Sequence, residues 1–105
     1  MAYSVIRTDT FETSYDQCIG YLAINLASPQ AATRFMSEID HVASILESTP
    51  FVRGISEKRY LAERRLREYF VMNYVVVYRI DEDVVTFVNL FHQTQEYDSE
   101  RYWED

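Results

Sequence analysis

Two apolar stripes of helical spacing, separated by little more than Ser28-Pro29, constrain the fold of this chain more than any other feature. The first runs Phe11, Tyr15, Cys18, Ile19, Leu22 and Leu26, one face of a helix that Asp9-Thr10 can cap. Gly20 falls inside this pattern and weakens it. Ser28 then offers a capping hydroxyl, and Pro29 suits a first helical position, where an N–H would have no partner anyway. The second stripe, Ala32, Phe35, Met36, Ile39, Val42 and Leu46, persists until Ser48-Thr49-Pro50 stops it. Helices joined this tightly must fold back on each other, so the spacing predicts an antiparallel helical hairpin.

Such a hairpin needs a surface against which to bury its stripes, and the rest of the chain offers strands. Residues 3–8 alternate and are rich in β-branched side chains. Residues 51–63 have the poorest pattern and are expected to form a loop or a short extended piece. A strand is predicted over 65–71, a turn at Met72-Asn73, and the clearest strand of the chain over 74–80. The acids at 81–83 make a short hairpin loop, and residues 84–92 return antiparallel. The expected fold is α+β: a two-layer sandwich in the order β-α-α-β-β-β, a helical hairpin on a small antiparallel sheet. With 105 residues there is room for one domain, 1–105, ending in an acidic tail from about residue 98 that contains Tyr102 and Trp103.

Charge narrows the function. The net charge is −7, yet residues 53–67 hold six bases against two acids. An acidic protein binds nucleic acid poorly, because phosphate neutralisation supplies most non-specific affinity, so direct contact outside a ribosome is not expected. Any polyanionic partner should meet the one basic block, in which Arg59, Arg64, Arg65 and Arg67 are the candidate binding residues. These could equally pair with neighbours such as Glu63 and Glu68, each exposed pair being worth little. The single cysteine, Cys18, cannot form an internal disulfide. No apolar run approaches a membrane span, and Met1-Ala2-Tyr3 does not open a signal peptide, so a cytoplasmic protein with no membrane contact is expected.

Other residues read as structural. Cys18 lies on an apolar helix face, His41 reads as exposed, and Tyr74 and Tyr78 read as sheet packing. The acids at 81–83 suit a hydrated turn. There is no Walker loop, zinc spacing or nucleophile elbow, and no cofactor or metal is expected.

The segment Leu66-Arg67, followed by Asn73-Tyr74-Val75-Val76-Val77-Tyr78-Arg79-Ile80-Asp81, resembles the signature of the RelE/ParE toxin superfamily. Residues 84–92 and Tyr97 continue the match in order, and Ser28-Pro29-Gln30-Ala31-Ala32 with Phe35 and Ile39 is similar to the second helix of the ParE-like branch. The resemblance implies the toxin half of a bacterial type II toxin–antitoxin pair, bound by a cognate antitoxin that wraps an extended segment and a helix over it. Members of the RelE branch cut messenger RNA on the ribosome, using basic residues on the sheet, an Arg after the last strand and a Tyr near the C-terminus. On that pattern the catalytic residues would be Arg65, Arg67, His92 and Tyr97, with Arg65 and Arg67 on one strand face. The post-strand Arg is missing, since His92-Gln93-Thr94-Gln95 stands in its place. Members of the ParE branch inhibit DNA gyrase and are not known as nucleases. The missing Arg, the acidity and the strand spacing favour the ParE-like reading. A ribosome-dependent endoribonuclease and a non-toxic paralogue keeping the fold are the alternatives.

Overall fold

The computed structural model describes residues 2–99, so the Tyr102-Trp103 part of the acidic tail lies outside the described residues. Strand β1 (Ser4–Arg7) leads into helix α1 (Asp9–Gly20). Thr8 caps α1, its Oγ1 accepting the Phe11 N–H at 3.0 Å, with Asp9 and Glu12 placed to complement the helix dipole. The expected helix runs on past Gly20, but as a π-helical turn, Tyr21–Asn25. Helix α2 (Pro29–Ser48) begins where Ser28 Oγ accepts the Ala31 N–H at 3.2 Å, and it buries Ala32, Phe35, Ile39, Val42 and Leu46. A 3-10 turn, Pro50–Val52, and a short helix α3 (Arg59–Glu63) precede β2 (Arg67–Val71), β3 (Tyr74–Asp81) and β4 (Val84–His92).

The strand order is β1-β4-β3-β2. β2, β3 and β4 are antiparallel neighbours joined by two-residue turns, in which Met72 and Glu82 take φ of 54° and 53°. β1 is the departure from an antiparallel sheet: it pairs with β4 in parallel, making the sheet mixed. No tight turn links these strands, so no hairpin sets their relative sense.

Two differences from the sequence reading matter for the site. Residues 51–63 contain α3, whose end is a Schellman motif: Leu66 N–H donates to Leu61 O at 2.9 Å and Arg65 N–H to Ala62 O at 3.0 Å. Arg65 is the left-handed residue of that motif, with φ 57°. It is therefore not in a strand, β2 starts at Arg67, and the expected shared face of Arg65 and Arg67 does not exist.

The second difference concerns the sheet's reverse face. Tyr74 through Tyr78 are buried on both sides. The helical hairpin covers Tyr74, Val76 and Tyr78, while Leu61, Leu66, Phe91 and Tyr97 enclose Val75 and Val77 opposite. The two-layer core stands, and α3 with the C-terminal segment adds a small second cluster behind it.

Candidate functional site

The basic block divides by what each cation touches. Lys58 Nζ lies 3.1 Å from Glu68 Oε2, a carboxylate whose side chain is only 10% exposed. Ser56 Oγ donates to the other oxygen at 2.8 Å, and Tyr97 Oη donates to Glu68 as well. The Tyr97 ring stacks on Phe91 with centroids 4.7 Å apart. Burial, the hydrogen bond to Glu68 and the charges of Glu68 and Asp98 all push the Tyr97 hydroxyl above its ordinary 10.0. This hydroxyl is a structural donor to a buried acid.

Arg59 and Arg64 share Glu63, at 3.6 and 4.0 Å, and Arg64 lies 3.5 Å from the Tyr60 ring centroid. Arg53, Arg65 and Arg67 have no carboxylate within ion-pair distance among the described residues. Arg67 donates to the Arg53 carbonyl and sits 5.1 Å from the Phe51 ring centroid, while Arg53 lies 4.7 Å from that of Tyr69. Arg67 and Tyr69 share a face of β2, so the chain from Phe51 to Arg53 runs alongside them and interleaves two guanidinium groups with two rings. Phe51 in the 3-10 turn is 60% exposed, and Phe70 on the edge strand β2 is also exposed. The sequence did not single out Phe51, and it placed Arg53 in the basic block but not among the candidate binding residues. Their signal was an aromatic residue two positions before the Arg that opens the basic block, in the poorest-patterned stretch of the chain.

His92 is held differently. The Thr94 N–H donates to its Nδ1 at 3.2 Å, and the ring meets Tyr74 edge-on at 5.3 Å. His92 is opposite Tyr74 on β3, whereas Arg67 is opposite Tyr78. Those positions are four residues apart, about 13 Å along a strand, with β3 itself between them. Tyr97 reaches Glu68, the neighbour of Arg67 in β2, and so lies across the sheet from the Arg67 side chain. Arg65, Arg67, His92 and Tyr97 are thus not brought to one point. The arrangement can bind carboxylate or phosphate through stacked guanidinium groups, and among the described residues these side chains do not converge on a common atom.

Cys18 is half-buried beside Tyr74 rather than fully in the core, and burial pushes its thiol up from 9.0 to about 11. His41 is exposed, and Tyr74 and Tyr78 are core residues, as their spacing suggested.

The chain matches the family model described as ParE toxin of type II toxin-antitoxin system, parDE, over residues 5–97. It is similar to a solved structure of the chromosomal ParDE TA system from P. aeruginosa, with a TM-score of 0.69 at 13% identity, covering 87% of this chain and 96% of that one. No curated protein matches it in sequence. At that identity the structural likeness speaks for the fold, and the family match runs from β1 through Tyr97. The chain belongs to the ParE toxin family of type II toxin–antitoxin systems.

Proposed function

We infer that this chain works as a single-domain, non-catalytic cytoplasmic toxin that inhibits DNA gyrase and is silenced by a cognate antitoxin. The observation that carries the reading is the set of guanidinium groups at Arg53, Arg65 and Arg67, left without carboxylate partners among the described residues of a protein of net charge −7. Arg53 and Arg67, backed by the rings of Tyr69 and Phe51, suit bidentate capture of carboxylates on a protein partner. An acidic antitoxin segment laid over Arg59, Arg64, Arg65 and Arg67 satisfies them and hides the surface from the target. The separation of Arg67, His92 and Tyr97 supports inhibition by binding over messenger RNA cleavage.

The test is induced expression of the chain alone in a bacterium, with pulse-labelling of new DNA and new protein. Arrest of DNA synthesis first, with broken chromosomes, is the expected result. Arrest of protein synthesis first selects the ribonuclease, and unimpaired growth selects a paralogue without toxicity. Replacing Arg65 and Arg67 together by Ala should weaken binding of antitoxin or target; unchanged binding removes the basic block from the interface.

A further inference from the structure

β4 is longer than the partner on its outer edge. β1 pairs with it only from Val84 to Phe87, while β3 follows it to His92 on the other side. At the end of β1, Thr8 Oγ1 donates to the Val88 carbonyl at 2.7 Å and the chain turns away into α1. The edge of β4 beyond Val88 therefore has no strand beside it among the described residues.

Its outward N–H groups are nevertheless occupied, and by side chains. The Leu90 N–H donates to Asn89 Oδ1 at 2.9 Å, and the His92 N–H to Gln95 Oε1 at 2.9 Å. These amide oxygens fill, at N–H groups two residues apart along β4, the acceptor role that carbonyls of a neighbouring strand would fill, and Asn89 Oδ1 also accepts from Ser14 Oγ of α1 at 3.5 Å. Beside them is a groove of about 610 Å³, with Ser14, Gln17, Cys18 and Tyr21 on its α1 wall. Among the described residues, no Asp, Glu, Lys or Arg lines it. Tyr21 at its end is half-exposed, and Ile24 in the π-helical turn and Leu26 just after it are exposed as well.

We propose that the groove between α1 and the outer edge of β4 receives an extended, uncharged segment of a partner polypeptide, which adds a strand in line with β1. The side-chain amides of Asn89 and Gln95 are placeholders that the incoming backbone carbonyls replace at Leu90 and His92. The placeholders identify the occupant as backbone, because two carbonyl acceptors at a two-residue repeat are what a strand presents. The absence of charge in the lining identifies its side chains as neutral. This surface lies at the far end of the sheet from Arg67 and does not depend on the reading of the basic block.

The probe is the blocked peptide acetyl-Thr-Val-Thr-Val-Thr-amide, titrated to millimolar concentration into the isotope-labelled full chain. Amide resonances of Leu90 and His92 should move downfield, and their hydrogen exchange should slow by at least about tenfold, as expected for N–H groups passing from side-chain to strand partners. A peptide N-methylated at alternate residues should lose the effect. Gln95→Ala, which removes one placeholder from an exposed turn, should tighten peptide binding about fivefold, the factor that one competing hydrogen bond is worth. The proposal is overturned by unmoved Leu90 and His92 amides, by equal binding of the N-methylated peptide, or by weaker binding to Gln95→Ala. The first two mean that the groove does not pair backbone, and the third that Gln95 is a wall of a small-molecule pocket. Concentration-dependent shifts of the same amides without peptide also overturn it, in favour of self-association.

Discussion

Replacing Tyr97 by Phe removes one hydroxyl from a buried carboxylate and leaves the aromatic ring in place. A hydrogen bond to a charged group contributes about 1.5–3 kcal/mol. Glu68 keeps Ser56 at 2.8 Å and Lys58 at 3.1 Å, so the loss belongs at the lower end, about 1.5–2 kcal/mol. At roughly 4–6 °C per kcal/mol for a domain of this size, Tm falls by about 6–12 °C. Tyr97→Ala also deletes a ring that is 3% exposed and stacked on Phe91, and it should cost about 3–5 kcal/mol. The pH dependence gives an independent check. The folded protein holds the hydroxyl above its ordinary 10.0, so this contribution is complete below pH 10 and is lost as pH rises beyond it. Phe cannot ionise, and the stability gap between the two proteins should therefore narrow above pH 10. Thermal and urea unfolding of the full chain measure both effects. Growth arrest on expression, assayed well below the lowered Tm, should survive Tyr97→Phe. A Tyr97→Phe protein that is as stable as the parent but non-toxic would refute the structural role and make the hydroxyl a catalytic group.

Three further outcomes follow from local geometry. With its thiol raised to about 11, native Cys18 should react with iodoacetamide at pH 8 roughly two orders of magnitude more slowly than in urea, because the thiolate is the nucleophile; equal rates would place it in an open environment. Thr8→Ala removes both the α1 cap and the bond to Val88 O, and should lower stability by about 1–2 kcal/mol in urea unfolding, against a few tenths for Thr13→Ala on the exposed face of the same helix. Arg65→Gly relieves a left-handed non-glycine residue and should be neutral or stabilising by up to about 1 kcal/mol, whereas Arg67→Gly in β2 should destabilise by a similar amount; equal losses would put Arg65 back in the strand.

The helical hairpin was legible because its signals agree: a capping Ser, a Pro at the first position, and a stripe that ends at Pro50. β3 and β4 were legible because β-branched runs flank short polar turns. α3 escaped notice because five residues hold little more than one turn, and because the residue ending it is Arg65 where a Gly usually marks the place. The consequence reached the site, since an apparent strand alternation had placed Arg65 beside Arg67. The mixed sheet was hidden for a different reason, as the pairing of β1 with β4 spans nearly the whole chain and has no local signature. The basic block was visible from charge alone, but its aromatic backing by Phe51 and Tyr69 needed the fold.

Glu68 also decides which cations of the block remain available to a partner. Its carboxylate is nearly buried, so removing Lys58 leaves an acid with one ionic partner fewer in a poorly solvated place, a loss that is large when the pair is fully buried. Lys58 is 43% exposed, which lowers the expected cost of Lys58→Ala to about 1–2 kcal/mol. Glu63, shared by Arg59 and Arg64, is exposed, and pairs of this kind contribute little and can be exchanged for a partner's carboxylate. Arg53, Arg65 and Arg67 have no such pair among the described residues to give up. Alanine substitutions should therefore fall into three groups: Lys58 lowers stability more than binding, Arg53 and Arg67 lower binding with little change in Tm, and Arg59 and Arg64 change either only slightly. Measured Tm and antitoxin affinity for these variants separate the groups. If Lys58→Ala weakens antitoxin binding as strongly as Arg67→Ala while leaving Tm unchanged, the carboxylate of Glu68 is not holding the lysine, and the order of availability within the block is wrong.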